Sequence, residues 1–170
     1  MIRFVLGFFL MLTACAAADD MPERVTAIHN DVWLAGQPSP EQLQSWADQG
    51  RTVIINIRPD DEMAQLPFDE SQLALEAGMT YAQFGVGGSA GFNPSMTSAL
   101  TFQLNLHEGE NIVLHCVSGT RAAHIYTAHL IETGQVTPAE ANSLGLAPRG
   151  ELNPIVMRQL SPRFAAAFPE

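Results

Sequence analysis

The sequence contains no lysine: its eight basic side chains are all arginine, against 18 acidic residues, for a formal net charge of −10. Nucleic acids and anionic membrane surfaces are held by a basic footprint, and without one neither is an expected partner. Cysteine is almost as scarce, with only Cys15 and Cys116. Cys15 falls in a leader-like segment, so the remaining domain has one thiol and cannot close an internal disulfide. Long hydrophobic stretches are missing too. The run from Phe4 to Leu12 is too short to span a bilayer comfortably. Internal repeats, linkers and low-complexity blocks are likewise not found.

What is present begins with "MIRFVLGFFLMLTACAAA", residues 1–18. A basic start at Arg3, a short apolar run and then small residues have the shape of an export signal, which predicts a periplasmic protein. Two processing outcomes stand side by side. "AAA" before Asp19 suits a peptidase that leaves a soluble product, whereas "LTAC" resembles the lipobox of bacterial lipoproteins. In the second case Cys15 carries the lipid, Ala16 supplies no acidic retention signal, and the anchor lies in the outer membrane. That lipid is the only membrane contact expected. Residues 19–170 are long enough for one domain with a real core and too short for two ordinary ones.

Along that domain the signals alternate. "RVTAIHNDVWLAGQ" reads as two extended segments around an Asn-Asp turn. "SPEQLQSWADQG" has Ser39 as N-cap, Pro40 at the first helical position, Gln42 completing a capping box and Gly50 as the stop. "TVIINI" is a β-branched run suited to a strand covered on both faces, and it ends in "RPDDE", read as a solvated turn. A helix follows from about Asp69 to Ala77, then a strand "MTYAQF", the loop "GVGGSAGFNP", a helix from Ser95 to about His107, and a strand "NIVLH". "RAAHIYTAHLIETG" is a helix apolar nearly all round, and "TPAEANSLGL" and "NPIVMRQL" read as two short helices. The alternation predicts an α/β fold, a largely parallel central sheet flanked by helices.

In such sheets ligands bind at the carboxyl ends of strands, where loops pass into helix N-termini. "NIVLHCVSGTRAAHIY" places Cys116 at that junction. Backbone N–H groups of Val117, Ser118, Gly119, Thr120 and Arg121 then face one point with the positive end of a helix behind them, which is an anion site. The same field favours thiolate over thiol. The Arg121 guanidinium suits a bidentate grip on a tetrahedral oxyanion. Set against this is the plain alternative of Cys116 as a small apolar residue in the core.

"HCVSGTR" resembles the active-site loop of the protein tyrosine phosphatase superfamily. Together with "VWLAGQPSPEQLQSWADQG", "VIINIRPDDE" and "FGVGG", it is similar to the bacterial beta-lactamase-hydrolase-like family with its phosphatase-like domain, over residues of about 25 to 133. The resemblance implies a phosphatase-like fold, phosphate-monoester hydrolysis through a phosphocysteine on Cys116, oxyanion binding by Arg121 and the loop amides, and no cofactor or metal. Its substrates are phosphorylated small molecules or proteins. Three departures matter. Four residues separate Cys116 from Arg121 where the superfamily loop has five, and four is the spacing of many rhodanese-like sulfurtransferases, which carry a persulfide on the cysteine. Ala122 replaces the hydroxyl residue that commonly follows the arginine. The loop that often bears the general-acid aspartate contains no acid here. The sulfurtransferase and a catalytically inactive anion-binding module therefore stay open beside the hydrolase.

For the missing acid, Asp60, Asp61 and Glu62 are nearest by topology, and Asp60 is the choice. Arg58 is expected to pair with Asp60 and Asp61, or else to add charge at the rim. His115 is expected to hydrogen-bond within the loop and support Cys116. Gly85, Gly87 and Gly88 form either a wall over the site or a flexible crossover. His124 and His129 are five apart on a helix, which does not stack them on one metal. The strong negative charge slows encounter with anionic substrates, which argues against efficient action on multiply phosphorylated lipids.

Overall fold

The computed structural model describes residues 21–169, so the leader and Cys15 lie outside the described residues. Strands β1 (Val25–His29) and β2 (Val32–Ala35) form the expected antiparallel hairpin. Its turn uses Asn30 at φ 52°, a left-handed conformation that asparagine tolerates. Helix α1 (Pro40–Asp48) starts on the full capping box of Ser39 and Gln42. β3 (Val53–Asn56), α2 (Asp60–Met63), α3 (Glu70–Glu76), β4 (Thr80–Gln83), α4 (Pro94–Leu106), β5 (Ile112–His115) and α5 (Thr120–Glu132) follow in order.

The five strands form one sheet in the order β1-β2-β5-β3-β4, parallel throughout except for the β1–β2 edge. The register aligns Ala35, His115, Asn56 and Gln83 across the carboxyl ends of β2, β5, β3 and β4. One row of residues thus marks the carboxyl edge of the parallel strands.

Side chains alternate across a strand, and that period of two sorts the core. Trp33, Ala35, Ile54 and Val113 pack under α1 and α3 with Leu43, Trp46, Ala74 and Met79. Leu34, Val53, Ile55, Leu114 and Cys116 point the other way, into the larger cluster with α4 and α5. Burying each of the large aliphatics contributes roughly 1.5–3 kcal/mol. Residues Ala122 through Ile131 of α5 are all buried, as an all-round apolar helix requires.

Three local readings need correction. "RPDDE" is not a solvated turn but enters α2, with Pro59 at its N-cap. "TPAEANSLGL" forms a 3-10 segment, Pro138–Leu144, instead of an α-helix. Beyond α6 (Pro154–Leu160) the chain adds a helix not anticipated, α7 (Pro162–Ala167), started by a Ser161 cap before proline as in α1. Leu146, Leu152, Met157, Leu160 and Phe164 all join the larger cluster, so the segment after α5 is packed into the core.

Candidate active site

The turn after β5 is pinned to the end of β2 and the residues just after it. Cys116 donates its N–H to the Ala35 carbonyl at 3.2 Å, and Gln37 donates to the Val117 carbonyl at 3.0 Å. Gly119 closes the turn at φ 82°, and a Cβ there would stand 2.5 Å from the Thr26 hydroxyl oxygen, so both conformation and space demand glycine. Helix α5 begins at the next residue. Among the described residues, the N–H groups of Val117, Ser118, Thr120, Arg121 and Ala122 donate to no protein acceptor. Those in the first helical turn point towards the helix N-terminus, the arrangement that receives anions. Cys116 is a free thiol, 1% exposed, below the exposed Val117 and Ser118. Its burial within the larger apolar cluster suits a core residue equally well.

Arg121 is held from three sides. Its Nη1 donates to Glu62 Oε1 at 2.9 Å and to the Val86 carbonyl at 2.8 Å, while Nη2 donates to Glu62 Oε2 at 2.6 Å. A guanidinium has five N–H donors in a plane, and three are thus engaged. The two with no acceptor among the described residues, Nε–H and the second Nη2–H, lie on one edge and form a fork of their own. Glu62 therefore fixes the guanidinium end-on and leaves its side edge able to grip an oxyanion.

The glycine-rich loop covers this pair. A Cβ on Gly87 would fall 2.9 Å from Arg121 Cδ and 2.8 Å from Phe92 Cζ, and one on Gly88 would fall 2.8 Å from Glu62 Oε1. Both glycines have positive φ. Gly87 and Gly88 are thus packed directly on the ion pair, while Gly85 packs on Pro59 and Ala90.

On the opposite face of the sheet the same period of two places His115 and Asn56 beneath α3. His115 Nε2–H donates to Glu70 Oε1 at 2.8 Å, and its Nδ1 lies 3.3 Å from the Cys116 carbonyl. Glu70 also accepts from Asn56 at 3.0 Å, from the Tyr81 hydroxyl at 3.1 Å and from Gln37. Burial pushes the Glu70 carboxyl up, but the charge and hydrogen bond of His115, with those of Gln37 and Tyr81, outweigh it and hold the group below the usual carboxylate range. This buried set ties the ends of β2, β3 and β5 to the cysteine turn.

The predicted residues are therefore distributed unevenly. Cys116, Val117, Ser118, Gly119, Thr120 and Arg121 form one turn, and His115 supports it from below. Arg58 is a correction: it pairs with neither Asp60 nor Asp61. Its Nε donates to Glu62 at 3.2 Å, its Nη2 to the Glu62 carbonyl at 3.0 Å and its Nη1 to Gln37, and it is buried instead of adding charge at the rim. Asp60 is exposed and accepts from Gln83 at 3.0 Å, while Asp61 accepts from Ser89 at 2.6 Å. Of the three acids, Glu62 is the one in contact with the turn, and its hydrogen bonds and charge pairing with Arg121, aided by Arg58, hold its carboxyl below the usual range. His124 and His129 make separate bonds, His124 to the Thr120 carbonyl and the Asn153 N–H, His129 to the Thr101 hydroxyl. Glu70, Gln37, Asn56 and Tyr81 escaped the sequence reading. The available signal was polar residues at or just past successive strand ends.

Comparison with known proteins bears on the family and the fold. The sequence model of the family described as "Beta-lactamase hydrolase-like protein, phosphatase-like domain" matches residues 24–132. Beta-lactamase hydrolase-like proteins of two strains of Xylella fastidiosa are 33% and 32% identical over 129 residues, 73% of this chain. The chain spans 29% of the length of these curated relatives. Among solved structures, a candidate phosphatase of the DUF442 group from Shewanella putrefaciens CN-32 is similar with a TM-score of 0.64 at 24% identity, covering 84% of this chain and 85% of the other. Kinase-associated phosphatase, in a form whose catalytic-site cysteine is replaced by serine, gives a TM-score of 0.65 at 12% identity, with 74% and 80% covered. These likenesses show the phosphatase fold.

Proposed function

The chain belongs to the beta-lactamase hydrolase-like, phosphatase-like-domain family, and from that premise we propose that it hydrolyses phosphate monoesters through Cys116. The observation that carries the reading is the unengaged Nε–H/Nη2–H fork of Arg121 on the same turn as Cys116 and a set of uncommitted amides. A phosphoryl group has three non-bridging oxygens. The fork holds two of them and the amides of the turn face the third, so charge developing in the transition state meets donors already in place.

In the first step the Cys116 sulfur attacks phosphorus, the ester P–O bond breaks and the alcohol leaves, giving a phosphocysteine. In the second, water attacks the same phosphorus and the thiolate departs, releasing inorganic phosphate. Glu62 positions Arg121 and, held ionised between two arginines, has no proton to give at neutral pH. Asp60, exposed at the start of α2, is the acid we assign to protonate the leaving oxygen. Ser118 and Thr120, whose hydroxyls lie 3.2 Å apart, stand in for the hydroxyl that Ala122 lacks.

Family and fold favour the phosphatase over a sulfurtransferase, the alternative raised by the four-residue gap. The inactive anion-binding module keeps one observation on its side: among the described residues, the one acid in contact with the turn is Glu62, which is committed to Arg121 and Arg58. We also propose export to the periplasm, with a lipid on Cys15 as the anchor if the lipobox is used. The test is p-nitrophenyl phosphate hydrolysis by the purified protein. Turnover that vanadate blocks and Cys116→Ser abolishes supports the hydrolase. Phosphate binding without any turnover supports the module, and thiosulfate adding one sulfur to Cys116 supports the sulfurtransferase.

A further inference from the structure

Beside the cysteine turn runs a groove of about 490 Å³ whose near wall is Thr120 and His124 of α5 and whose far wall is the segment from Ala147 to Ile155. That far wall lies outside the family match, which ends at residue 132. A single imidazole bolts it to the turn: His124 Nδ1–H donates to the Thr120 carbonyl at 2.7 Å, and Nε2 accepts from the Asn153 N–H at 2.8 Å. Both ring nitrogens are thereby used, and the wall's position follows from that of the turn.

The lining is mostly apolar. Pro148 and Ile155 present hydrocarbon to the groove, and Ile155 is 59% exposed although it is a large aliphatic at the start of a helix. Val117, on the turn itself, is likewise exposed. Two charged residues, Arg149 and Glu151, also line the groove, and neither forms an ion pair among the described residues. The opposed signs give the groove no net preference for a charged occupant. A guanidinium, however, stacks on an aromatic face whatever the charge beyond it.

We propose that this groove receives the organic part of the phosphate monoester and selects an extended aryl group, which Ile155 and Pro148 contact on one side and the Arg149 guanidinium covers on the other. This rests on the hydrolase reading of Cys116, because Thr120 belongs both to the anion-binding turn and to the groove, so a ligand whose phosphate occupies the turn leads its substituent into the groove. A small polar alcohol leaves the groove unfilled.

The test uses the full chain carrying Cys116→Ser, titrated calorimetrically with 2-naphthylmethylphosphonate and with methylphosphonate. The naphthyl ligand binds at least ~10-fold tighter, as burial of its rings requires. Ile155→Asn and Arg149→Ala, both at exposed positions and checked for native circular dichroism, each lower that preference by about 3-fold. Equal affinities, no binding of either ligand, or a preference that neither substitution moves overturns the proposal. Turnover of phenyl phosphate by the wild-type chain is read separately. A preference that responds as expected without any turnover leaves the groove standing and removes the hydrolase; turnover with an unresponsive preference does the reverse.

Discussion

Replacing Glu62 by glutamine puts the geometry of Arg121 to its most direct test. The substitution keeps the shape but removes the charge that faces both Arg121 and Arg58. Charge centres about 4 Å apart attract by roughly 4 kcal/mol at an effective dielectric constant near 20, a gross figure from which desolvation is subtracted. The side chains of Arg121 and Glu62 are 17% and 22% exposed, so some solvent screening applies. Losing the acceptor of two charge-assisted bonds then costs about 2 kcal/mol, which lowers Tm by about 4–8 °C in a chain of this size.

The consequence for function is sharper. If Glu62 holds Arg121 so that its side edge faces the turn, Glu62→Gln loosens the fork, phosphate inhibits about 10-fold more weakly, and kcat/KM on p-nitrophenyl phosphate drops by about 10- to 100-fold. The opposite view treats Glu62 as a competitor that occupies the guanidinium and keeps anions out. On that view the variant binds phosphate more tightly and turns over faster. Phosphate inhibition and steady-state kinetics on the wild type and Glu62→Gln separate the two. Tighter phosphate binding in the variant refutes the count of three engaged and two free donors.

Gly119→Ala combines a left-handed backbone with a Cβ driven onto Thr26, and it should cost more than about 2 kcal/mol by urea unfolding; a loss below 0.5 kcal/mol contradicts the packing of the turn. If Asp60 supplies the proton, Asp60→Asn lowers kcat by about 10²-fold or more on alkyl phosphates and far less on p-nitrophenyl phosphate, whose leaving group needs little help; equal small effects on both esters remove Asp60 from the mechanism. Acid destabilises the fold in two stages. Burial lowers the pKa of His124 and His129 from 6.5, so below pH 6.5 the unfolded chain takes up protons that the folded one refuses, and stability declines. Glu62 and Glu70 are held below 4.5, so their contribution is complete above pH 4.5 and is lost as pH falls through their folded values. Chemical denaturation at about pH 7.5, 5.5 and 4 should show both declines, with the second reduced in Glu62→Gln; stability rising on acidification contradicts the assignment.

Much of the architecture follows from local chemistry that a linear reading can see. Ser39, Pro40 and Gln42 start α1 because the orphan N–H groups of a helix need acceptors, and that need is met within four residues. The β-branched run of β3 announces a strand covered on both sides, and the Asn-Asp turn announces the hairpin. The misread pieces are short. α2 has four residues and no side-chain cap, so it is specified by what it packs against, here the glycine loop seated on Glu62, and not by its own sequence. The 3-10 form of 138–144 escaped for a related reason, since its Thr137 and Glu140 capping box is also that of an α-helix.

The site divides along the same line. Cys116, Gly119 and Arg121 were visible because the turn is contiguous and each residue type has a chemical reason to be there. Glu70 was invisible because an acid in a short helix reads as solvated, and only the sheet register that lines up Ala35, His115 and Asn56 makes it the buried hub beneath the turn. The selection among Asp60, Asp61 and Glu62 has the same origin. Three successive acids on a helix project about 100° apart, so one turn of helix aims them in different directions. Glu62 thereby reaches Arg121 while Asp60 reaches Gln83 and Asp61 reaches Ser89. The four-residue helix that the chain enters after Pro59 is thus what brings the third acid onto the arginine of the cysteine turn and leaves the first at the exposed start of the helix.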